Sequence, residues 1–375
     1  MSTNMSISRR AFVAAVAAAI RAPSLHNSQP WRFRRYHDES RGHDEIHVLA
    51  DPSRTPPIAD ADGWATRIAC GAATYNLQLA LAVGGQPTLV QWQPVASEPT
   101  LLAVLQPGEP HPPTPHQRRL FRAIPRRHSN RRPFLPQPVP QEARLAMVAA
   151  AREEGAWLDL VVGAIPAAAV SEIAHAASRV LHRNQAYAAE LASWRRRERS
   201  RADPPDGKAA ASGPDGDPAA EAYDLLPLRA VSDLVSGPNL TDDPLIAVLG
   251  TAGDSHRDHL RAGFALQRVL LTITDHGLSS SLLSQPIAVP SAREQLRIAL
   301  GRYGTPQMVL RVGYAGPASP TPRRPVADVI ESCGDRIEAS IDEIEASRDG
   351  IEASRGEIKA PGDRPTDPAT GVLRP

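Results

Sequence analysis

Two apolar helical stretches with the same glycine punctuation constrain this chain most. Residues 71–85, GAATYNLQLALAVGG, can be laid over residues 263–277, GFALQRVLLTITDHG, and each opens and closes on Gly fourteen residues apart. Each is followed by a turn and then by apolar segments of strand length. A helix apolar over so much of its surface has to be buried, and two such units indicate two copies of one α+β element set. The 375 residues, 42% of them hydrophobic, are enough for that core. The expected class is therefore α+β in two tandem halves, residues 11–106 and 117–330, with a proline-rich linker at 107–116.

Periodicity places the elements. In the first half, helices are expected over 11–21 and 64–83, with strands at 46–49, 88–93 and 101–105. In the second half, helices are expected over 141–154, 167–199 and 256–276, with strands at 157–162, 245–250 and 306–312. Residues 200–240 are rich in Asp, Pro, Gly and Ala, and such an insertion is either a disordered loop or a lid. Beyond residue 330, Ile337-Glu-Ala-Ser recurs at Ile344 and Ile351, but Gly350, Gly356 and a proline-rich end disfavour a coiled coil. Residues 331–375 read as a low-complexity, mostly disordered tail.

A net charge of +1 gives no reason to expect a nucleic-acid or membrane partner. All but two of the Lys and Arg residues are Arg, so any anion site must be built from guanidinium groups. Ser8-Arg9-Arg10 ahead of an Ala/Val run has the look of an export signal. The run is short and Arg21 interrupts it, so a cytoplasmic helix is the expectation. Cys70 and Cys333 lack metal or redox spacing. His43 with His47, Asp60 with Asp62, and His256 with His259 have no evident third ligand and read as surface residues, so no metal site is expected.

Two motifs remain. Ala22-Pro23-Ser24-Leu25-His26-Asn27-Ser28-Gln29-Pro30-Trp31 ends a helix and makes a polar turn beside a large aromatic. That turn is either a plain helix-to-strand connection or the wall of a site for a flat, polar-edged ligand. Arg126-Arg127-His128-Ser129-Asn130-Arg131-Arg132 is either a solvated basic loop or a phosphate grip, since guanidinium forks bind phosphate through charge-assisted pairs.

Both motifs resemble those of the FMN-dependent nitroreductase superfamily, whose signatures are A-P-S-x-x-N-x-Q-P-W and R-x-S-x-[RK]. The likeness is nearest to the actinobacterial Acg-type branch, in which two nitroreductase-like halves share one chain. It implies a nitroreductase-like fold and one FMN held across the two halves of a pseudo-dimer. Pro23, Ser24, Asn27 and Gln29 would come from the first motif, and Arg127, Ser129 and Arg131 from the second. Residues 277–288 read as a loop of small residues, within which Pro286, Ile287 and Ala288 match the loop that meets the flavin edge, and Arg323 and Arg324 match a C-terminal basic element. The resemblance further implies a segment covering the pocket, which would fall at 200–240.

A flavin carries its own redox chemistry, so no catalytic side chain is singled out. No G-x-G-x-x-G follows a strand, which disfavours a separate nicotinamide domain. The resemblance implies ping-pong hydride transfer from NAD(P)H through FMN to a nitroaromatic, quinone or similar electrophile, in a monomer. The rival reading is an FMN-sequestering protein with an occluded flavin and little turnover.

Overall fold

The computed structural model describes residues 7–40, 42–93, 97–202, 244–316 and 321–331. Most of the expected lid and all but the first residue of the expected tail lie outside the described residues.

Helix α1 (Arg9–Ala19) is capped by Ser8, whose Oγ accepts the Ala11 amide, and it buries Phe12, Val13 and Val16. After the polar turn come β1 (Trp31–Asp38) and β2 (His43–Ala50), then α2 (Trp64–Val83), β3 (Thr88–Trp92) and β4 (Leu101–Pro107). The sheet runs β1-β2-β4-β3, all neighbours antiparallel. Helix α3 (Pro115–Ala123), which periodicity missed, opens on a capping box from Thr114 and Gln117.

The second half contains α4 (Gln141–Glu153), β5 (Trp157–Val161), α5 (Ala164–Arg183), α6 (Gln185–Ala202), β6 (Leu245–Thr251) and α7 (His256–Asp275). It continues with β7 (Ser279–Leu283), the short α8 (Gln285–Ala288), α9 (Pro290–Ala299) and β8 (Thr305–Gly313). Its sheet runs β5-β6-β8-β7, again antiparallel, and so repeats the order of the first. The correspondence extends to register. Trp31 opens β1 opposite Ala50, Trp157 opens β5 opposite Gly250, and a bulge lies at that end of both sheets.

Three expectations change. The single helix over 167–199 is two helices, broken at Asn184, whose extended backbone ends α5. The small-residue stretch after α7 is a strand, β7, because it pairs along β8 from Ser279 to Leu283. His47, Asp60 and His259, read as surface residues, are 7%, 4% and 6% exposed. Tyr36 stacks on His47, and Asp60 accepts the Ala65 and Thr66 amides and the Thr66 hydroxyl at the start of α2.

The two repeated helices cross at their glycines. A Cβ on Gly71 would lie 2.1 Å from the Leu260 carbonyl oxygen, and one on Gly263 would lie 2.0 Å from that of Ile68. Each glycine thus meets the residue three places ahead of the other, a reciprocal contact of twofold type. Among the described residues, no helix is long and apolar enough to cross a membrane.

Candidate functional site

The turn after α1 has unusual backbone. His26, Asn27 and Gln29 have φ of 49°, 50° and 52°, in the left-handed region that costs non-glycine residues free energy. Side chains over-determine this shape. Ser24 Oγ accepts the Gln29 amide at 3.0 Å, and Asn27 Nδ2 donates to Pro322 O at 2.9 Å. Arg323 Nη1 donates to Asn27 Oδ1 at 3.0 Å, and the Arg324 amide donates to Gln29 Oε1 at 2.8 Å. The segment that follows β8 by a few residues therefore locks a turn belonging to the first half. It then joins the first sheet, where Glu331 N donates to Phe33 O.

This turn forms one wall of a cavity. Pro23, Ser24, Leu25, His26 and Asn27 line that side, and Trp64, Ala65, Ile68 and Ala69 of α2 line another with Leu266 of α7. The strand β7 and its end contribute Ser281 to Gln285, and β8 contributes Met308. The basic loop adds Ser129, Asn130 and Arg131, the C-terminal segment adds Thr321 and Arg323, and α6 adds Tyr187, Leu191 and Arg195. Among the described residues the lining contains three arginines and no carboxylate. The lining mixes small and apolar side chains with polar and cationic ones, which suits a planar heteroaromatic ligand with a charged end.

The basic loop is fixed by the second sheet. The Asn130 amide donates to Ser280 O at 2.7 Å, and Ser129 bridges Ser280. Arg127, just before the lining residues, is 4% exposed. Its Nη2 donates to Arg21 O at 3.0 Å, while its Nε and Nη1 have no partner among the described residues. Burial and the nearby Arg323 and Arg21 charges pull its pKa down to about 9. A buried cation with two unused donors, close to two other guanidinium groups, is the environment in which a bound anion is stabilised.

A profile of the nitroreductase family matches residues 124–314. A Mycobacterium tuberculosis protein, provisionally named NAD(P)H nitroreductase Rv3131, is 33% identical over 323 residues, covering 84% of this chain and 89% of that protein. The chain belongs to the nitroreductase family. A second M. tuberculosis relative, provisionally named NAD(P)H nitroreductase acg, is 29% identical over 84% of this chain and 93% of its own length. Among solved structures, the FMN-dependent nitroreductase NfnB from Mycobacterium smegmatis, in complex with NADPH, aligns with TM-score 0.39 and 17% identity. That alignment covers 58% of this chain and 99% of NfnB.

Of the residues that the nitroreductase resemblance singled out, Pro23, Ser24, Asn27, Ser129, Arg131 and Arg323 line the cavity together. Arg127 stands just outside the lining, near Arg323, and the other five do not line it. Gln29 is wholly buried and braces the turn, and Arg324 is turned towards Asp51 and the Asp328 carbonyl. Pro286, Ile287 and Ala288 form α8, and the Ile287 and Ala288 amides both donate to Ser284 O. Those amides are thus committed to the helix, and the lining at this edge comes from Ser281 to Gln285. Sequence reasoning missed the α2 face and all of α6. Apart from Arg195 their lining residues are ordinary apolar side chains, and only the stripe Tyr187, Leu191, Arg195 at four-residue spacing marked one of them.

Trp64 connects the cavity to a buried polar network in this nitroreductase. Its Nε1 donates to Gln307 Oε1 at 2.8 Å, and Gln307 Nε2 donates to Thr251 Oγ1 at 3.0 Å. Arg293 makes a two-pronged pair with Asp254 and also donates to Gln307 Oε1. His259 Nε2 donates to Asp254 at 2.8 Å, and Arg67 Nε donates to His259 Nδ1 at 3.1 Å. His259 is therefore a neutral structural link. Burial first, and then the Arg67 charge, lower its pKa, outweighing the hydrogen bond to Asp254. The unfolded chain binds a proton at His259 near pH 6.5, and the folded chain resists it. Stability should therefore fall as pH drops below about 6.5 towards the folded value. Urea denaturation of wild type and His259→Gln at several pH values checks this: the difference between them should shrink on acidification. A constant difference would exclude the linkage.

Proposed function

We propose that the cavity holds one FMN and that the chain transfers hydride from NAD(P)H through it to a small electrophile such as a nitroaromatic or quinone. The observation that carries this is Arg127, whose two buried donors are unused among the described residues and which lies near Arg323 of a cavity whose described lining holds no carboxylate. Arg127, Ser129, Arg131 and Arg323 would hold the phosphate, and the turn from Pro23 to Asn27 would meet the polar edge of the ring. Ala65 and Ala69, being small, leave room for a flat system against α2. When bound, FMN supplies hydride acceptance and donation. The residues around it bind it, orient it and restrict water, since no acid–base pair in the lining is needed for that chemistry.

The tandem halves are read as a pseudo-dimer with one working site. By the shared register, the counterpart of the lining end of β7 is the end of β3. There Trp92 and Tyr75 both pack edge-on against Phe264, filling the space. The counterpart of the turn before Trp31 is the turn before Trp157, where Glu153 and Glu154 pair with Arg268. Two carboxylates there disfavour a phosphate ester. Flavin-saturated protein should therefore carry one flavin per chain and run as a monomer in solution. Two flavins per chain by absorbance and native mass would contradict this.

The placement of α6 over the cavity favours a second reading, that FMN is retained and shielded with little turnover. Steady-state NAD(P)H oxidation with a quinone separates the two. Multiple turnovers support the enzyme. Flavin that stays oxidised under excess NADPH and NADH yet bleaches with dithionite supports sequestration.

A further inference from the structure

Helix α6 lies over the cavity through Tyr187, Leu191 and Arg195, which share one face. The neighbouring stripe of the same helix carries Glu190 and Trp194, and both reach the first half. The Glu190 carboxylate accepts two successive main-chain amides, Ile58 at 2.8 Å and Ala59 at 2.9 Å. Trp194 lies beneath the Arg54 guanidinium, 5.5 Å from the ring centre, and Arg54 Nε donates to Ser28 O at 2.5 Å within the cavity turn. At its start, α6 is joined to α5 by the single extended residue Asn184, whose Oδ1 accepts the Ala186 and Tyr187 amides. Only that one residue separates α6 from α5, so side-chain contacts with the first half help to decide where the helix lies.

Of these contacts, Glu190 makes the charge-assisted one to main chain. Only a carboxylate of this length accepts both amides at once, and a carboxamide would set an N–H against one of them. Glu190 is half-buried, and water can satisfy both sides when the contact opens, so it can break without unfolding the core. We propose that Glu190 is a positioning residue, the latch that holds α6 across the cavity and so sets how fast a bound nucleotide enters and leaves. This rests on reading the cavity as the FMN site.

The test uses full-length FMN-loaded protein with two readouts: hydrogen exchange at Ile58, Ala59 and along α6, and FMN release followed by flavin fluorescence after dilution. Glu190→Ala should lose protection at Ile58 and Ala59 and release FMN about tenfold faster or more. Glu190→Gln should fall between Ala and wild type, because one acceptor oxygen remains. Glu172→Ala, on the exposed face of α5, should match wild type. Unchanged protection in Glu190→Ala overturns the latch, and so does lost protection with an unchanged release rate. Should Glu190→Ala not fold, Trp194→Leu is expected to shift both readouts the same way, and its failure to do so overturns the proposal equally. Protein that takes up no FMN sinks the reading of the cavity instead. The exchange arm then decides the latch: equal protection overturns it, and protection lost along α6 sustains it.

Discussion

Arg127→Met is expected to weaken FMN binding by about 10- to 100-fold while leaving the FMN-free protein at least as stable as wild type. Both parts come from one observation, a guanidinium that is 4% exposed with two donors unused among the described residues. A charge-assisted hydrogen bond to an anion contributes roughly 1.5–3 kcal/mol, which sets the loss of affinity. In the absence of an anion, the same buried cation is costly, because neighbouring Arg323 and Arg21 oppose its charge. Methionine has a similar reach, no charge and enough flexibility to fill the space. Fluorescence titration with FMN and thermal melts of the flavin-free protein measure the two parts separately. An unchanged dissociation constant would place the phosphate elsewhere. A melting point lowered by several degrees would make Arg127 a structural residue rather than a ligand-binding one.

Gly71→Ala and Gly263→Ala are each expected to destabilise the fold by about 1–3 kcal/mol, although alanine is favoured over glycine inside a helix by about 1 kcal/mol. The added methyl groups would lie 2.1 Å from the Leu260 carbonyl oxygen and 2.0 Å from that of Ile68. Backbone atoms in the middle of two crossed helices cannot rotate away, so the helices must separate. That separation also moves Ala65, Ile68, Ala69 and Leu266, which line the cavity from these helices. Both variants should therefore lose FMN affinity along with stability. Urea denaturation and FMN titration measure the effects. If either variant were as stable as wild type, the close crossing would not be rigid.

The short-range features were legible in the sequence for a definite reason. Helices α2 and α7 are buried over most of their length, so their apolar pattern and the glycines that end them appear directly in the order of residues. The turn at Pro23 to Gln29 was legible because its proline and short polar side chains act on their own backbone, as the Ser24 bond to the Gln29 amide shows. The basic loop was legible because four arginines lie within seven residues. Residues whose role depends on distant partners were not. Arg324 follows Arg323 in the same basic element, yet Arg324 turns to Asp51 and Arg323 to Asn27, a divergence imposed by the docked turn. Ile287 and Ala288 sit where the family resemblance pointed, but their amides are taken by Ser284 once α8 forms. Residues 279–283 have the composition of a loop and become a strand only because β8 offers free backbone partners. Helix α6 is placed over the cavity by Glu190 and Trp194, which touch residues more than a hundred positions away. Local order thus determined the repeated helices, the position of the polar turn and the cationic loop, since each acts within a few residues. Tertiary structure alone decided which of their atoms face the cavity, because hydrogen bonds and steric exclusion between distant segments choose among side-chain directions that the local chain leaves equally open.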